Sequence, residues 1–540
     1  MSESSSNPGV SRYDLYLDTS PSAAPGWSME TIREPSRLFG ANGVRLHADG
    51  RLWVSELVGE HLSAWDVDND VLSTASPMGS ELRGPDDIAF DSEGTVYAAE
   101  TMNGRVSGRR VDGSYFVLVD ECPAVNGITV DPETDTLYVD EMREGGRVLE
   151  VDRHQRNRVR VIAEGLDWLN ALEMGPDRRL YMPQVFAGTV LAVDPESGEV
   201  ETVVDGLAHP TAVKFAPDGR LVVTQSSIGE VTAVDLRTGV RQRLVSLAPG
   251  VDNFDIDARG YIYVSNFVEA SVARYSMETG ELDKVLSAGS FLGPYQIASA
   301  AEGFVVADHG SVCRLDGEGK LERLSRLLLD QPFVAVGVAE VGETLVVLSQ
   351  AGELFRRLED SGEWAKIYGS LDGANSEYFG QDSDGVNAVG VGDGQLLAGM
   401  RHGDVVVLEL DGTVKLRLPS GLPTVTAISG DHGAIVVSDE TTGSVLVLGE
   451  GEPVALNGFK RPQGVALTAD RVVVADQGAR QIVCASLDGE RREVVATDLP
   501  LGLPRLQADD GRRSSVTVGE DGSIIIGCDG DGSVRRLFLN

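Results

Sequence analysis

Six oxygen-bearing residues recur along the first half of the chain at nearly constant spacing. Asn42, Asp86, Asn126, Asn170, Thr211 and Asp252 follow one another at steps of 44, 40, 44, 41 and 41 residues, with Asn253 beside the last. If each step is one copy of a structural repeat, the six come to one level. Carboxylate and amide oxygens converging there suit a hard divalent cation, which takes six to eight oxygens when it is calcium. The metal-ligand candidates are therefore Asn42, Asp86, Asn126, Asn170 and Asp252. The same side chains also cap turns by bonding to nearby backbone, and each one taken singly reads equally well that way. The corresponding positions of the second half, Tyr295, Val334, Val386, Val425, Gln463 and Ser514, are half apolar, so the polar set belongs to one half only.

A second series follows at a similar interval: Glu56, Glu100, Glu141, Gln184, Gln225 and Asn266. A carboxylate from it, such as Glu141, or Asp86 itself, is a candidate to deprotonate water. Asp308, Asp439 and Asp476 stand at the equivalent place in the second half, which also fits a loop cap. His209, in LAHPT, precedes the fifth opening as Trp168 precedes the fourth. It is the histidine placed to act as a base near neutral pH, against the plainer reading of an exposed loop residue. No GxSxG, HExxH or phosphate-cradling Gly loop occurs, which weakens serine hydrolase, zinc protease and nucleotide readings.

The elements that must carry these residues are short strands. In Val125 to Asp152 three of them are separated by the turn DPETD and by Gly145 and Gly146, and a fourth run follows at Arg158 to Ile162. Four short strands with turn signals between them make one blade of a β-propeller. Twelve copies of the second strand can be read: LWVSE, VYAAE, LYVDE, LYMPQ, LVVTQ and IYVSN, then FVVAD, LVVLS, LLAGM, IVVSD, VVVAD and IIIGC. Such near-continuous apolar runs suit strands covered on both faces.

The expected fold is all-β, a tandem pair of six-bladed propellers with four-stranded antiparallel blades, because twelve blades in one ring would leave a wide, unfilled centre. Residues 1–35 read as an N-terminal arm, with an added strand at Tyr13 to Leu17. Residues 36–278 read as the first propeller and residues 279–540 as the second. SRLFG at Ser36 is expected to complete the sixth blade, and DKVLS at Asp283 to close the second ring with the strand that ends the chain. Closure removes the open sheet edges that invite aggregation.

Composition bounds the partners. The 540 residues, 42% of them apolar, are ample for two domains. The balance of 46 basic against 84 acidic residues, a net charge of −38, repels phosphate backbones and anionic lipid, so the expected partner is a small molecule, with no nucleic acid and no membrane. Association into a homo-oligomer stays open. Four scattered cysteines, Cys122, Cys313, Cys484 and Cys528, form no CxxC pair. The opening MSESSSNPGVSRYD has no basic segment followed by an apolar one, and no run of 18 apolar residues occurs, so a cytoplasmic setting with free thiols is expected.

VNGITVD at Val125 and GPDDIAFD at Gly84, with RPQGVAL at Arg461 and VVVADQ at Val472, resemble repeat openings of the senescence-marker-protein/gluconolactonase (SMP-30/gluconolactonase/LRE-like) family and its NHL-repeat relatives. The resemblance implies a six-bladed propeller with calcium or another divalent ion on its axis, held by a Glu, two Asn and an Asp. It also implies metal-assisted hydrolysis of lactones or related esters. Asn126 matches the family's "NG" asparagine and Asp86 its "PDG" aspartate, although Asp86 precedes the asparagine blade rather than following it, and Asn42 stands where the family has Glu. The leading expectation is a metal-dependent hydrolase in residues 36–278. The alternatives are a metal-assisted lyase with His209 as base, or a non-catalytic binding scaffold.

Overall fold

A computed structural model describes residues 15–16, 18–78, 80–287, 291–327, 329–369, 385–503 and 513–540. Tyr13 to Leu17, apart from residues 15 and 16, lies outside these, as do the insertion Ser370 to Asp384 and Gln507 to Arg513 apart from Arg513. The described residues form twelve antiparallel sheets, eleven of four strands and one of five. All twelve second strands fall where the apolar runs place them, from Leu52–Glu56 to Ile524–Cys528. They are almost wholly buried, as LYVDE at Leu137–Glu141 illustrates. No helix among the described residues is long and apolar enough to cross a membrane.

The chain divides into two compact units, and apart from the first residues the division falls after Gly289. In the first unit the opening strands are Ala41–Leu46, Pro85–Phe90, Val125–Val130, Glu173–Met174, Pro210–Phe215 and Val251–Ile256. The first four lie each against the next, Pro210–Phe215 lies against the fourth sheet's second strand Leu180–Gln184 and against Val251–Ile256, and Val251–Ile256 lies against Ala41–Leu46. The apolar core runs between consecutive sheets. One cluster joins Leu38 and the first sheet's Ala41, Val44, Leu52, Val54 and Trp65 to Tyr263, Val272 and Leu286 of the sixth. Each such large side chain contributes roughly 1.5–3 kcal/mol on burial.

Pairing at the chain's start and at the division between the units differs from the sequence expectation. SRLFG at Ser36 is not a strand. Leu38 instead packs, fully buried, among Tyr263, Val272 and Leu286. DKVLS does not serve the second unit: Leu282–Ser287 pairs with Ser271–Ser276 as the fourth strand of the sixth sheet. Local hairpin pairing across a short turn costs less chain entropy than a distant closure. The segment read as an arm supplies the missing strand of the second unit, where Trp27–Arg33 pairs antiparallel with Ser533–Leu539 and Ser22–Ala23 adds a short fifth strand beside Arg492–Thr497. Ser22–Ala23 and Trp27–Arg33 are thus strands, and the boundary expected at 278/279 falls beyond Ser287.

A bulge marks five of the six opening strands of the first unit. The register shifts between Ala41 and Val44, Pro85 and Ile88, Val125 and Ile128, Pro210 and Val213, and Val251 and Phe254. A bulge re-aims the side chains on either side of it; two of the shifts hold Asp86, Asp87 and Asp252, and Arg45, Lys214 and Asp255 directly follow three of them.

Candidate functional site

The opening residues of the first, second and sixth sheets meet. Asn42 Nδ2 donates to Asp86 Oδ1 at 3.2 Å, and a hydrogen bond from Asn42 also favours the charged form of Asp252. Asn42 and Asp86 are buried, and Asp252 is half-buried. Burial, then the neighbouring Asp252, Asp87 and Asp140 charges, hold Asp86 well above the usual carboxylate range. Burial and then Asp87 push Asp252 up to about 7. Neither carboxylate has an Arg or Lys ion pair among the described residues, and Asn42 Oδ1 is buried with no hydrogen-bond partner. Two adjacent like charges and an orphaned amide oxygen are what a divalent cation would relieve. These three side chains therefore fit one, although no set of three His, Cys, Asp or Glu side chains forms a cage among the described residues.

Asn126 and Asn170 form a separate pair. Both amides point at Met142 Sδ, at 3.4 and 3.7 Å, and Asn126 Oδ1 accepts from Ala171 N at 3.4 Å. Thr211 bonds Thr224 Oγ1 at 3.0 Å and the Val251 carbonyl at 3.2 Å. The proposed set of five thus divides into a carboxylate group, Asn42, Asp86 and Asp252, and an amide pair around Met142.

Below the carboxylates lies a charge layer that the motif reading missed. The Arg45 guanidinium bonds Asp87 at 3.2 Å, Glu173 at 3.0 Å, and the carbonyls of Ile88 and Ile128 at 2.9 and 3.0 Å. Lys214 Nζ reaches the same Glu173 oxygen at 2.5 Å, and Asp255 accepts from Leu46 N at 2.7 Å. The signal for this layer was available: Arg45, Glu173, Lys214 and Asp255 each stand three residues after an opening residue. A charged residue inside an otherwise apolar strand at a fixed offset marks an interior layer.

Glu141 is not brought to this group. Its carboxylate is fully buried and held by Arg143 at 2.7 Å and by a second ion pair with Arg147, whose hydrogen bonds and charges outweigh burial and keep it below the usual range. Three other members of the second series fasten the loop before their own opening strand. Glu56 accepts from Phe39 N, Glu100 from Arg83 N and Gln225 from Ala208 N. Asp476 likewise accepts from Lys460 N and Arg461 N.

A different role falls to Asp140. Where Ser55 and Ser265 donate hydroxyls to the carbonyls of Asp86 and Asn42 on the neighbouring sheet, the equivalent position holds this fully buried carboxyl. One of its oxygens accepts from Gly127 N at 2.9 Å, the other has no partner, and burial pushes its pKa to about 7. Gly127 is required here, because a Cβ would lie 2.6 Å from Leu172 N and 2.9 Å from the Asp140 carboxylate.

His209 lies in the loop before Thr211, away from the carboxylates in sequence but at the same end of its sheet. Its ring meets Phe186 edge-on at 5.8 Å, and Trp168 meets Phe186 at 5.1 Å. In the second unit a cavity of ≈ 30 Å³ is lined by Tyr295, Ile297, Val389, Gln463 and Arg513 among others, with no carboxylate in its wall. The four cysteines are free and buried.

Residues 148–292 match the family described as SMP-30/Gluconolactonase/LRE-like region. That stretch is similar to the family; the match covers about a quarter of the chain. It carries Asn170, Thr211, His209 and Asp252, and runs from the third strand of the third sheet to the end of the first unit. No curated protein matches the chain. Similar solved structures include virginiamycin B lyase from Staphylococcus aureus, at 14% identity over 52% of this chain and 96% of that one with a TM-score of 0.38. A protein of unknown function from Bacteroides caccae is 14% identical over 42% and 90% of the two chains, TM-score 0.36. A chain of a nidogen/laminin complex is 19% identical over 37% and 78%, TM-score 0.34.

Proposed function

We propose that the first unit is a six-bladed propeller acting as a metal-dependent hydrolase of a lactone or related ester, and that the second unit is a second six-bladed propeller. The observation that carries the reading is the meeting of two carboxylates, buried Asp86 and half-buried Asp252, with Asn42, whose buried amide oxygen is unsatisfied. The SMP-30/gluconolactonase-like region in the same unit supports it. Asp86, Asp252 and Asn42 Oδ1 would hold the ion, with calcium the best match to an all-oxygen set. When bound, such an ion polarises an ester carbonyl.

The chain's own groups supply the proton traffic. Asp252, through the carboxylate oxygen not given to the ion, is the group placed to act as general base. It takes a proton from water as the water oxygen bonds to the carbonyl carbon. The acyl carbon–oxygen bond then breaks, and the proton passes to the leaving alkoxide. Asn42 holds the two carboxylates at a fixed separation, and Arg45 with Glu173 and Lys214 closes the space beneath them with paired charge. The strongly acidic surface favours a neutral small molecule over nucleic acid or membrane as partner, in keeping with a cytoplasmic enzyme.

His209 carries a second reading. Its Nδ1 is buried with no hydrogen-bond partner, and in a metal-assisted lyase it would take a carbon-bound proton. Acid release measured across a lactone panel, with mass analysis of products, separates the two. Calcium-dependent addition of water supports the hydrolase, and an alkene product supports the lyase. No turnover on any member, with or without calcium, leaves a binding scaffold.

A further inference from the structure

Six residues of the first unit stand two positions before the openings: Gly40, Gly84, Ala124, Trp168, His209 and Gly250. All six have left-handed backbone, with φ of 81°, 48°, 54°, 52°, 49° and 101°. Glycine adopts this conformation freely, whereas a side chain there costs roughly 1–2 kcal/mol. Three copies of the repeat use glycine and one alanine, so the turn itself needs no large side chain. Two neighbouring copies nevertheless carry a tryptophan and a histidine.

Both rings are spent on the same neighbour. Phe186 follows the second strand of the fourth sheet, at the end where Asn170 opens that sheet, and is flanked edge-on by Trp168 at 5.1 Å and His209 at 5.8 Å. Phe186 itself stays 44% exposed, so the three rings do not complete a core. They form an apolar platform with one polar atom, His209 Nδ1, buried and unpartnered beside it. Large rings kept on left-handed backbone at two adjacent copies, where glycine or alanine serves at the other four, point to function rather than packing.

We propose that Trp168, Phe186 and His209 form the substrate platform of the first unit, taking an uncharged ring or alkyl group carried on the lactone or ester. This deepens the hydrolase reading and rests on it for the ester part. The carboxylates Asp86 and Asp252 disfavour anionic substrates, and an edge-to-face ring trio prefers another aromatic or apolar group.

Calorimetric titration with γ-phenyl-γ-butyrolactone and with γ-butyrolactone, both in EDTA, tests the platform apart from any ion. The phenyl lactone binds the whole protein at least about tenfold more tightly than the unsubstituted one, and Phe186→Ala removes that difference. Trp168→Gly and His209→Gly also weaken phenyl lactone binding by about tenfold or more, while the melting temperature is kept, because glycine relieves the left-handed strain. Equal affinity for the two lactones, unchanged binding in all three variants, or tighter binding of benzyltrimethylammonium than of the phenyl lactone would overturn the proposal. Loss of calcium-dependent turnover with the platform intact would instead strike the hydrolase reading alone.

Discussion

Asn42 donates its side-chain amide to Asp86 Oδ1 at 3.2 Å, tying the opening strand of one sheet to that of the next at the point where the unit's buried acids gather. The bond also turns the Asn42 oxygen into a buried acceptor with nothing to accept. An arrangement that leaves two raised carboxylates and an orphan oxygen side by side is costly unless something occupies it.

Glu141 fastens a loop, and its variants should report stability and not turnover. Glu141→Gln leaves Arg143 and Arg147 facing a neutral amide, at a cost of about 1–3 kcal/mol. Chemical unfolding should show that loss, while turnover per folded molecule stays at the wild-type level. A selective loss of turnover without loss of stability would return Glu141 to the chemistry.

The strand at Trp27–Arg33 protects the edge of Ser533–Leu539. Met29→Pro places a proline in the paired strand opposite Leu537 and should destabilise the second unit by about 2–3 kcal/mol, with aggregation as the edge opens. Limited proteolysis should then cut the C-terminal strand first while the first unit persists. Wild-type resistance in that variant would show that the early segment is dispensable.

Most of the architecture was legible because second strands such as LYVDE and VVVAD are buried on both faces and so read as apolar runs. Closure was not legible, because Leu282–Ser287 and Trp27–Arg33 are equally good strands, and only their partners distinguish a local hairpin from a distant pairing. At the site, periodic spacing found Asn42, Asp86 and Asp252 but could not separate them from Asn126 and Asn170, whose amides turn to Met142. Glu141 had the right type and period, yet a carboxylate beside two arginines in sequence, Arg143 and Arg147, is an ion-pair signal. Arg45 and Glu173 carried a periodic signal three positions after the openings, but only the bulged or broken strands show that this offset turns inward.

Asp140 sets a pH dependence. Its folded pKa of about 7 against an ordinary 3.8 means that its contribution to stability is complete below the unfolded value and is lost as pH rises through the folded one. Asp140→Asn stays neutral throughout. In EDTA, wild type should therefore lose stability relative to Asp140→Asn between about pH 4 and about pH 7, by at most about 1.4 kcal/mol per pH unit. Parallel pH profiles would mean that Asp140 is charged in the folded protein.

The most direct measurement is the calcium-induced shift in melting temperature for wild type, Asp86→Ala and Asp476→Ala. Both aspartates are buried, but Asp476 clamps the backbone of Lys460 and Arg461, so its loss lowers the baseline without touching the ion. A ligand bound only to the folded state at a hundredfold excess over its Kd stabilises by about 2.7 kcal/mol. The account predicts a calcium-dependent rise in the first unit's transition for wild type and Asp476→Ala, and none for Asp86→Ala. Equal rises in all three proteins, or no rise in wild type, would contradict a cation held by Asp86, Asp252 and Asn42.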